Sequence, residues 1–263
     1  MKIAVVGGGT MGEAMVRCLL AKGVVAVQDI TVSDVAASRR EAMNREYGVS
    51  AFSDSRQVAD GADLIVLAVK PQDLLQAMDE IGSPSSQQLV LSIVAGASLS
   101  TLHDGLAPSC IVRAMPNMPA QIGEGMTVWT ASAEVGPEQK EIARSVLRSL
   151  GEEVYVEDEK YIDMATALSG SGPAYVFLFI EALIDAGVHI GLPRKTAEKL
   201  VLQTVLGSAH VLEKVGKHPA ELRNMVTSPG GTTADALLQL EKGGFRSLLL
   251  TAAAAAYEKA KRL

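Results

Sequence analysis

The chain opens with a glycine-rich turn directly after a short apolar strand, and this limits the folds available to it. Residues 3–6 read IAVV, and the next six, GGGTMG, fit the pattern G-x-G-x-x-G. In that pattern the first glycine permits a tight turn, the second lets the backbone approach a pyrophosphate, and the third lets helix and strand pack closely. Because an amphipathic helical pattern follows at once, the turn predicts a dinucleotide-binding domain.

Residues at the end of the second predicted strand bear on which dinucleotide binds. Asp34 stands at the usual distance from the turn, where its carboxylate can accept hydrogen bonds from the ribose hydroxyls of NAD and would repel a 2′-phosphate. Ser33, Arg39 and Arg40 are close enough in sequence to hold that phosphate instead. The arginine pair also fits a solvated helix face. The sequence leaves the choice between NAD(H) and NADP(H) open.

Short β-branched runs alternate with helical patterns in the first part of the chain. Strands are predicted at 3–6, 30–32, 64–69, 89–94 and 111–115. This alternation implies βαβ units and a parallel sheet. Runs at 127–132 and 152–157, with a helix at 137–150 between them, are predicted to add an edge to the same sheet. We therefore expect an α/β fold with a Rossmann-type domain over residues 1–158.

From residue 159 to 263 the pattern is helical throughout, including predicted helices at 232–242 and 245–261. The run AYVFLFIEALIDAGV (174–188) is apolar nearly all round, which is typical of a helix buried on most sides. A domain of this size offers little room for such burial, so we expect a second subunit to cover the helix. The prediction is an all-α C-terminal domain, 159–263, that forms an intertwined homodimer.

Composition excludes some classes of function. The net charge of -6 provides no basic surplus to displace counterions, which argues against a general binder of nucleic acid or of anionic membranes. Cys18 and Cys110 lie far apart, so both are predicted to be buried or inert free thiols. The four histidines lack the spacing of a metal site, and none is predicted. The opening strand is unlike a signal peptide and the apolar run 247–257 is too short to cross a bilayer, which predicts a cytoplasmic protein.

A second glycine turn, SPGGTTADAL, occupies residues 228–237. Thr232 followed by Asp235 predicts a capping-box-like helix start, and Gly230 and Gly231 leave the backbone N–H groups ahead of the helix unobstructed. Such a nest at a helix N-terminus binds an anion. A dinucleotide needs one phosphate cradle, so the second nest implies a different anion. An ordinary capped helix after a turn is the alternative.

A third small-residue turn, SGSGP at 169–173, precedes the apolar run, with Pro173 near the first position of the predicted helix. It either lines the same pocket or allows close packing of helices.

Taken together, these motifs resemble the pyrroline-5-carboxylate reductase family over essentially the whole chain. The matching stretches are GGGTMG, LAVKPQ (67–72), SIVAG (92–96), RAMPNMPA (113–120), ALSGSGPAYVF (167–177) and SPGGTTADALLQLEKGGFRSLL (228–249). Many dehydrogenases share the first stretch, whereas the last two in tandem are specific to this family.

The resemblance implies hydride transfer from NADP(H), with NAD(H) as an alternative, to C5 of 1-pyrroline-5-carboxylate, which yields L-proline. It implies that residues from the glycine turn and from loops after several strands bind the cofactor: Gly7, Gly9, Thr10, Met11, Gly12, Ser33, Asp34, Ala68, Val69, Lys70, Pro71, Ala95, Gly96 and Asn117. Two of these have other readings, because Lys70 also fits a plain surface lysine and Asn117 a turn-stabilising asparagine.

The substrate carboxylate is then the second anion. The residues implied for substrate are Ser171, Gly172, Ser228, Gly230, Gly231, Thr232 and Thr233. The family also implies a homodimer through the helical domain, with the substrate nest of one chain facing the nicotinamide of its partner, and a ring of dimers as a larger assembly.

No Ser/His/Asp set, Cys/His pair or metal site is evident, and the implied reaction needs none. A protonated C=N is already an electrophile, so the protein chiefly holds the reacting carbons together in a dry slot. Thr233 is predicted to reach the ring nitrogen and to position the substrate rather than protonate it, because a neutral threonine is a poor general acid.

Two other functions fit parts of the sequence. A 3-hydroxyacid dehydrogenase shares the opening motif, but the helical run at 174–188 lacks the lysine acid/base of that class. A non-catalytic dinucleotide sensor would keep the first turn and would not need the second.

Overall fold

The computed structural model describes residues 1–106 and 110–262, and in this part of the chain eight strands form one sheet. The strands are β1 (Ile3–Val6), β2 (Ile30–Ser33), β3 (Ser50–Phe52), β4 (Leu64–Leu67), β5 (Leu89–Ser92), β6 (Cys110–Met115), β7 (Gly125–Ala131) and β8 (Gly151–Tyr155). Their order is β3-β2-β1-β4-β5-β6-β7-β8, and neighbours run parallel except for β6 and β7. The order reverses between β1 and β4, the place where open α/β sheets bind ligands.

Six helices cover the two faces of this sheet. They are α1 (Thr10–Ala21), α2 (Ala37–Tyr47), α3 (Ser55–Ala59), α4 (Leu74–Ile81), α5 (Leu99–Leu106) and α6 (Pro137–Ser149). Alternate side chains of β1 enter opposite cores, because successive residues of a strand point to opposite faces. Val5 packs with residues of α1, α2 and α6, whereas Val6 packs with residues of α3, α4 and α5. The predicted Rossmann-type parallel sheet is confirmed.

Differences from the predicted strands are small. The strands predicted at 64–69 and 89–94 end two residues earlier, at Leu67 and Ser92. Pro71 begins a short 3-10 turn, Pro71–Asp73, after the end of β4. The three-residue strand β3 was not predicted, because SAF is too short to show a pattern. The added edge of β7, α6 and β8 is present, with β7 antiparallel to β6.

The rest of the described chain is helical, as predicted. It consists of α7 (Lys160–Ala165), a π-helical segment (Thr166–Gly170), α8 (Gly172–His189), α9 (Arg194–Val215), α10 (Pro219–Met225), α11 (Thr232–Lys242) and α12 (Phe245–Ala260). By contacts the chain divides into a sheet unit, 1–171 together with the C-terminal residues from 256, and a helical unit, 172–255. The domain boundary between residues 158 and 159 stays a prediction.

Burial differs sharply between these units. In the helical unit, which is described throughout, Ala197 and Val201 are the only buried apolar side chains, and α8 has no buried residue. Within the described residues, one helical stretch, Lys160–His189, is long and apolar enough to cross a membrane by length and composition alone.

Candidate functional site

The first glycine turn lies at the switch point of the sheet and is held tightly. The N–H of Gly7 donates to the carbonyl oxygen of Ser33 over 2.8 Å. Gly7 has φ +106°, and a Cβ there would stand 2.7 Å from the backbone of Ala68. A Cβ on Gly12 would overlap the carbonyl oxygen of Gly7. Two of the three motif glycines are therefore required by packing, as the motif predicts.

The remaining motif glycine is unobstructed. Gly9 has φ -71°, and a Cβ there would meet no atom within 4 Å. Gly9 precedes the first residue of α1, Thr10, and both residues line a cleft of about 430 Å³. Packing does not explain a glycine at this position. Close approach of a ligand to the backbone at a helix N-terminus does, so the residues present fit a dinucleotide pyrophosphate.

The cleft brings together eight of the predicted cofactor residues and leaves six outside its lining. Those that line it are Gly7, Gly9, Thr10, Ser33, Asp34, Ala68, Val69 and Lys70. Those that do not are Met11, Gly12, Pro71, Ala95, Gly96 and Asn117. Gly12 instead packs α1 against β1, and the binding roles of all fourteen residues stay predictions.

Asp34 is fixed by backbone hydrogen bonds in the cleft wall. Its Oδ2 accepts from the N–H of Gly8 at 2.9 Å, and its Oδ1 accepts from the N–H of Ala36 at 2.8 Å. The carboxylate thus ties the glycine turn to the end of β2. It presents a fixed negative charge where an adenosine ribose would lie.

Arg39 and Arg40, which follow Asp34 in the sequence, have different partners. Arg40 donates from Nη1 to the carbonyl oxygens of Asp34 and Val35, at 2.7 and 2.9 Å. Arg39 lines the cleft, is about half exposed, and lies 3.5 Å from Glu13. Tyr47 donates to the same Glu13 at 3.0 Å, and burial, then this hydrogen bond, raises the tyrosine pKa. Of the pair, Arg39 is therefore the more available to an anion.

Several polar residues of the cleft were not predicted from the sequence. Ser55 donates to Glu80 at 2.9 Å and accepts from Ser33 at 3.4 Å, and all three line the cleft. Asp73 and Gln76 also line it. These residues come from α3, α4 and the turn before α4, and no motif in the sequence connects them.

Asn117 stabilises the loop after β6. Its Oδ1 accepts from the N–H of Met126 at 2.9 Å, and its Nδ2 donates to Ser169 Oγ at 3.2 Å. The turn-stabilising interpretation therefore has direct support, while contact with nicotinamide or substrate stays a prediction.

The SGSGP stretch is not a turn. Residues 166–170 form a π-helical segment, in which the N–H of Ser171 donates to the carbonyl oxygen of Thr166, and α8 starts at Gly172. The prediction of a turn here was wrong because small residues also permit this wider helical geometry. Single π-helical turns are frequent at functional sites.

The second glycine turn opens α11. Gly230 has φ +69°, and the N–H of Gly231 donates to the carbonyl oxygen of Ser228 at 3.0 Å. Gly231, not Thr232, is the N-cap, and it has no side chain to cap the helix, so the predicted capping box was wrong. The first N–H groups of any α-helix lack intrahelical acceptors, which leaves those of Thr232 and Thr233 available to an anion.

A buried arginine outside the predicted set also lies at the carboxyl end of the sheet. Arg113 on β6 forms ion pairs with Glu159 and Asp163, each at 2.7 Å. No local pattern in the sequence indicates this cluster, because Glu159 and Asp163 lie 46 and 50 residues after Arg113. Elsewhere, Cys18 and Cys110 are buried and unpaired, as predicted. In the described chain, no group of three metal-ligating side chains comes together.

Comparison with known proteins covers the chain from end to end. Residues 2–96 match the family described as "NADP oxidoreductase coenzyme F420-dependent", and residues 159–263 match "Pyrroline-5-carboxylate reductase dimerisation". A pyrroline-5-carboxylate reductase of Synechocystis is 41% identical over 100% of this chain and 98% of its own length.

Solved structures agree with this assignment. A pyrroline-5-carboxylate reductase from Coxiella burnetii is 39% identical, with a TM-score of 0.92 over 99% of this chain and 97% of that one. The Plasmodium falciparum enzyme, solved with NADP bound, is 33% identical, with a TM-score of 0.91 over 100% and 97%. The chain belongs to the pyrroline-5-carboxylate reductase family.

Proposed function

We propose that the chain reduces 1-pyrroline-5-carboxylate to L-proline, the last step of proline biosynthesis, with NADP(H) as cofactor and NAD(H) as an alternative. The observation that carries this proposal is the match of the whole chain, both glycine turns included, to reductases of that name. When bound, the reduced nicotinamide supplies a hydride to C5 of the iminium, and the π electrons of C=N become the lone pair of the product amine.

The first task of the protein is to bind the cofactor. Gly7, Gly9 and Thr10 offer the backbone of the first turn and the start of α1 to the pyrophosphate, a fit supported by the open space at Gly9. Lys70 and Arg39 are the cations that line the same cleft, against the carboxylates of Asp34, Asp73 and Glu80. The cleft therefore has charges of both signs. Asp34 would favour NADH by repelling a 2′-phosphate, and Arg39 would favour NADPH by binding it.

The second task is to hold the substrate. The N–H groups at the start of α11, behind Gly230 and Gly231, would bind the substrate carboxylate. Thr233 would hydrogen-bond the ring nitrogen and orient C5 for attack. Ser171, Gly172, Ser228 and Thr232 complete the proposed substrate set. Positioning of this kind can supply much of the rate without a strong acid or base.

We also propose that residues 159–263 form a homodimerisation and substrate domain, next to a cofactor domain at 1–158. The exposed apolar residues of α8, among them Phe177 and Leu178, support a partner surface. A ring of dimers and a cytoplasmic location remain part of the same proposal. Sedimentation at working concentration tests the proposed homodimer, and a monomer would contradict it.

The reaction itself is tested with purified protein, pyrroline-5-carboxylate and either NADPH or NADH. We expect loss of reduced-cofactor absorbance and formation of proline in equal amounts. A sensor that only binds dinucleotide would bind the cofactor and leave the absorbance unchanged, which would contradict the proposed function.

A further inference from the structure

Arg113 is a buried charge with an unusually specific set of partners. Its side chain is 6% exposed, and it lies on β6 in register with Ser92 of β5 and Thr130 of β7. Its Nη1 donates to Glu159 Oε1 and its Nη2 to Asp163 Oδ1, both at 2.7 Å. Glu159 and Asp163 are four residues apart, so one planar guanidinium spans one turn of helix at the start of α7.

Glu159 has a second function in this cluster. The oxygen that accepts from Arg113 also accepts from the N–H of Leu99 at 2.7 Å. Leu99 is the first residue of α5 and follows the loop that carries Ala95 and Gly96. A carboxylate at a helix N-terminus satisfies a free N–H and interacts favourably with the helix dipole. Arg113 thus connects the loop after β5 to α7 through one carboxylate.

The helical stretch after Arg113's partners follows the end of β6 closely. A Cβ on Gly170 would stand 3.3 Å from Met115 Cε, so the π-helical segment packs directly against that side chain. One step further, Asn117 donates to Ser169 at 3.2 Å. Three successive contacts therefore join β6 and its loop to residues 159–170, and the ion pairs of Arg113 form the first.

Stability alone is a weak reason to bury such an ion pair. Desolvation of the charges offsets much of their attraction, and apolar replacements of similar volume are often neutral. The planar guanidinium of Arg113 can hold two carboxylates in fixed positions at the same time, which an apolar side chain cannot do. A lysine at the same position offers one compact charge and cannot reproduce both bonds.

We propose that Arg113 is a positioning residue for hydride transfer. By holding Glu159 and Asp163, it fixes the loop that carries Ala95 and Gly96 relative to the helical stretch that leads to Ser171. The proposal rests on the proposed function, in which that loop serves the nicotinamide and Ser171 the substrate. Arg113 itself does not line the cofactor cleft and lies outside the proposed substrate set.

The test compares Arg113→Met and Arg113→Lys with Arg144→Met. Arg144 is the control, because it also pairs with a carboxylate, Glu153, but on α6 and β8 at the sheet edge. Its side chain is 27% exposed, whereas that of Arg113 is 6% exposed. Each variant is measured for Tm, for kcat and KM with pyrroline-5-carboxylate, and for the Kd of 2′,5′-ADP, which lacks the nicotinamide. Hydrogen–deuterium exchange is followed over residues 93–102 and 160–171.

For Arg113→Met we expect kcat/KM to fall by about tenfold or more, because small misplacement of reacting groups is costly. The Kd of 2′,5′-ADP should stay within about twofold of the wild-type value. Exchange should accelerate in both segments. Arg113→Lys should show a smaller loss of kcat/KM, since it keeps one charged contact. Arg144→Met should lower Tm and leave kcat/KM unchanged.

Wild-type kcat/KM in Arg113→Met, or equal losses in Arg113→Met and Arg144→Met, would overturn the proposal. If Arg113→Met does not fold, Arg113→Lys decides: a reduced kcat/KM with an unchanged 2′,5′-ADP Kd supports the proposal, and wild-type kinetics overturn it. Hydrogen exchange separates this inference from the proposed function. If the wild type does not reduce pyrroline-5-carboxylate, the proposed function is wrong. Faster exchange in Arg113→Met, limited to residues 93–102 and 160–171, would still show that Arg113 holds these two segments.

Discussion

The sheet unit and the helical unit bury their apolar side chains to very different extents. In the sheet unit, two cores on opposite faces of the sheet contain large, fully buried residues, such as Trp129 and Met15 in one core and Leu67 in the other. In the helical unit, all of whose residues are described, only Ala197 and Val201 are buried among the apolar side chains. The first unit can obtain its stability from its own packing, whereas the second leaves apolar surface that needs a partner.

The largest effect is expected at that uncovered surface. Leu178 on α8 is 66% exposed and Leu75 on α4 is 68% exposed, which makes them a matched pair. If a second copy covers α8, Leu178→Asp places a charge in an apolar interface and should cost about 3 kcal/mol of dimer stability, so that about 100-fold more protein is needed for assembly.

Leu75→Asp, at a surface we expect to stay in water, should change neither assembly nor activity. Sedimentation and activity over a dilution series measure both. If the two aspartate variants behave alike, α8 is not covered by a second copy, and its exposed surface is no different from that of α4.

The glycines of the first turn test the packing of the sheet unit and its cofactor cleft separately. Gly12→Ala should destabilise the protein by about 1–3 kcal/mol, because its Cβ would overlap the backbone of Gly7. Gly9→Ala has open space and a permitted φ, so Tm should stay unchanged while the Kd of the cofactor rises about tenfold. Calorimetry with and without NADPH separates the two outcomes. A stable Gly9→Ala variant with wild-type affinity would contradict the proposed pyrophosphate site.

In the helical unit, Thr233→Ala tests the proposed substrate nest. Loss of a hydroxyl that orients the ring should lower kcat/KM for pyrroline-5-carboxylate by about 10- to 100-fold, with cofactor affinity unchanged. Steady-state kinetics with the substrate varied, together with a cofactor titration, provide the measurement. Wild-type kinetics in this variant would remove Thr233 from the mechanism.

Cofactor choice is expected to respond to Asp34. Asp34→Asn keeps an oxygen that can accept from the N–H of Gly8 but removes the negative charge beside the ribose. The ratio of kcat/KM for NADPH to that for NADH should rise about tenfold, since repulsion of a 2′-phosphate is lost. Asp73→Asn, a second carboxylate of the same cleft, is the control. An equal shift in both variants would assign the effect to overall charge.

The smallest expected effect concerns exposed Asp158, in front of α7. A hydrogen bond from the Lys160 side chain, then one from its backbone N–H, lowers the pKa of Asp158. A lowered folded-state pKa contributes stability above the unfolded value and loses it as the pH falls through the folded value. Asp158→Asn should therefore lower Tm slightly at pH 7, and the difference should disappear in acid. Melting curves across pH 2–7 test this, and a difference that persists in acid would contradict it.

The sequence was most informative where packing or motif geometry is local. Strands buried on both faces appear as apolar runs, so the sheet could be predicted. The spacing of the glycines in the first turn follows from steric requirements of the turn itself, so the cleft at Gly7 and Gly9 could also be predicted. Contacts between distant segments could not. Nothing near Arg113 in the sequence indicates Glu159 or Asp163, and nothing links Ser55 to Glu80.

Local rules also failed where two geometries suit the same residues. Thr232 is a good N-cap by composition, yet the helix starts there because Gly231 supplies the extended conformation of the cap position. The small residues at 169–171 suit a tight turn or a π-helical segment equally well. In both places the choice depends on how neighbouring segments pack, which the residue types alone do not encode.

The scarcity of buried side chains in the helical unit has a genetic consequence under the proposed dimer. A copy disabled at Gly9 would keep an intact α8, pair with healthy copies and lower the output of the mixed assembly. A copy disabled at Leu178 would remain outside the assembly and leave healthy copies unaffected. When both alleles are expressed in one cell, mixed assemblies should therefore form with the first defect and not with the second.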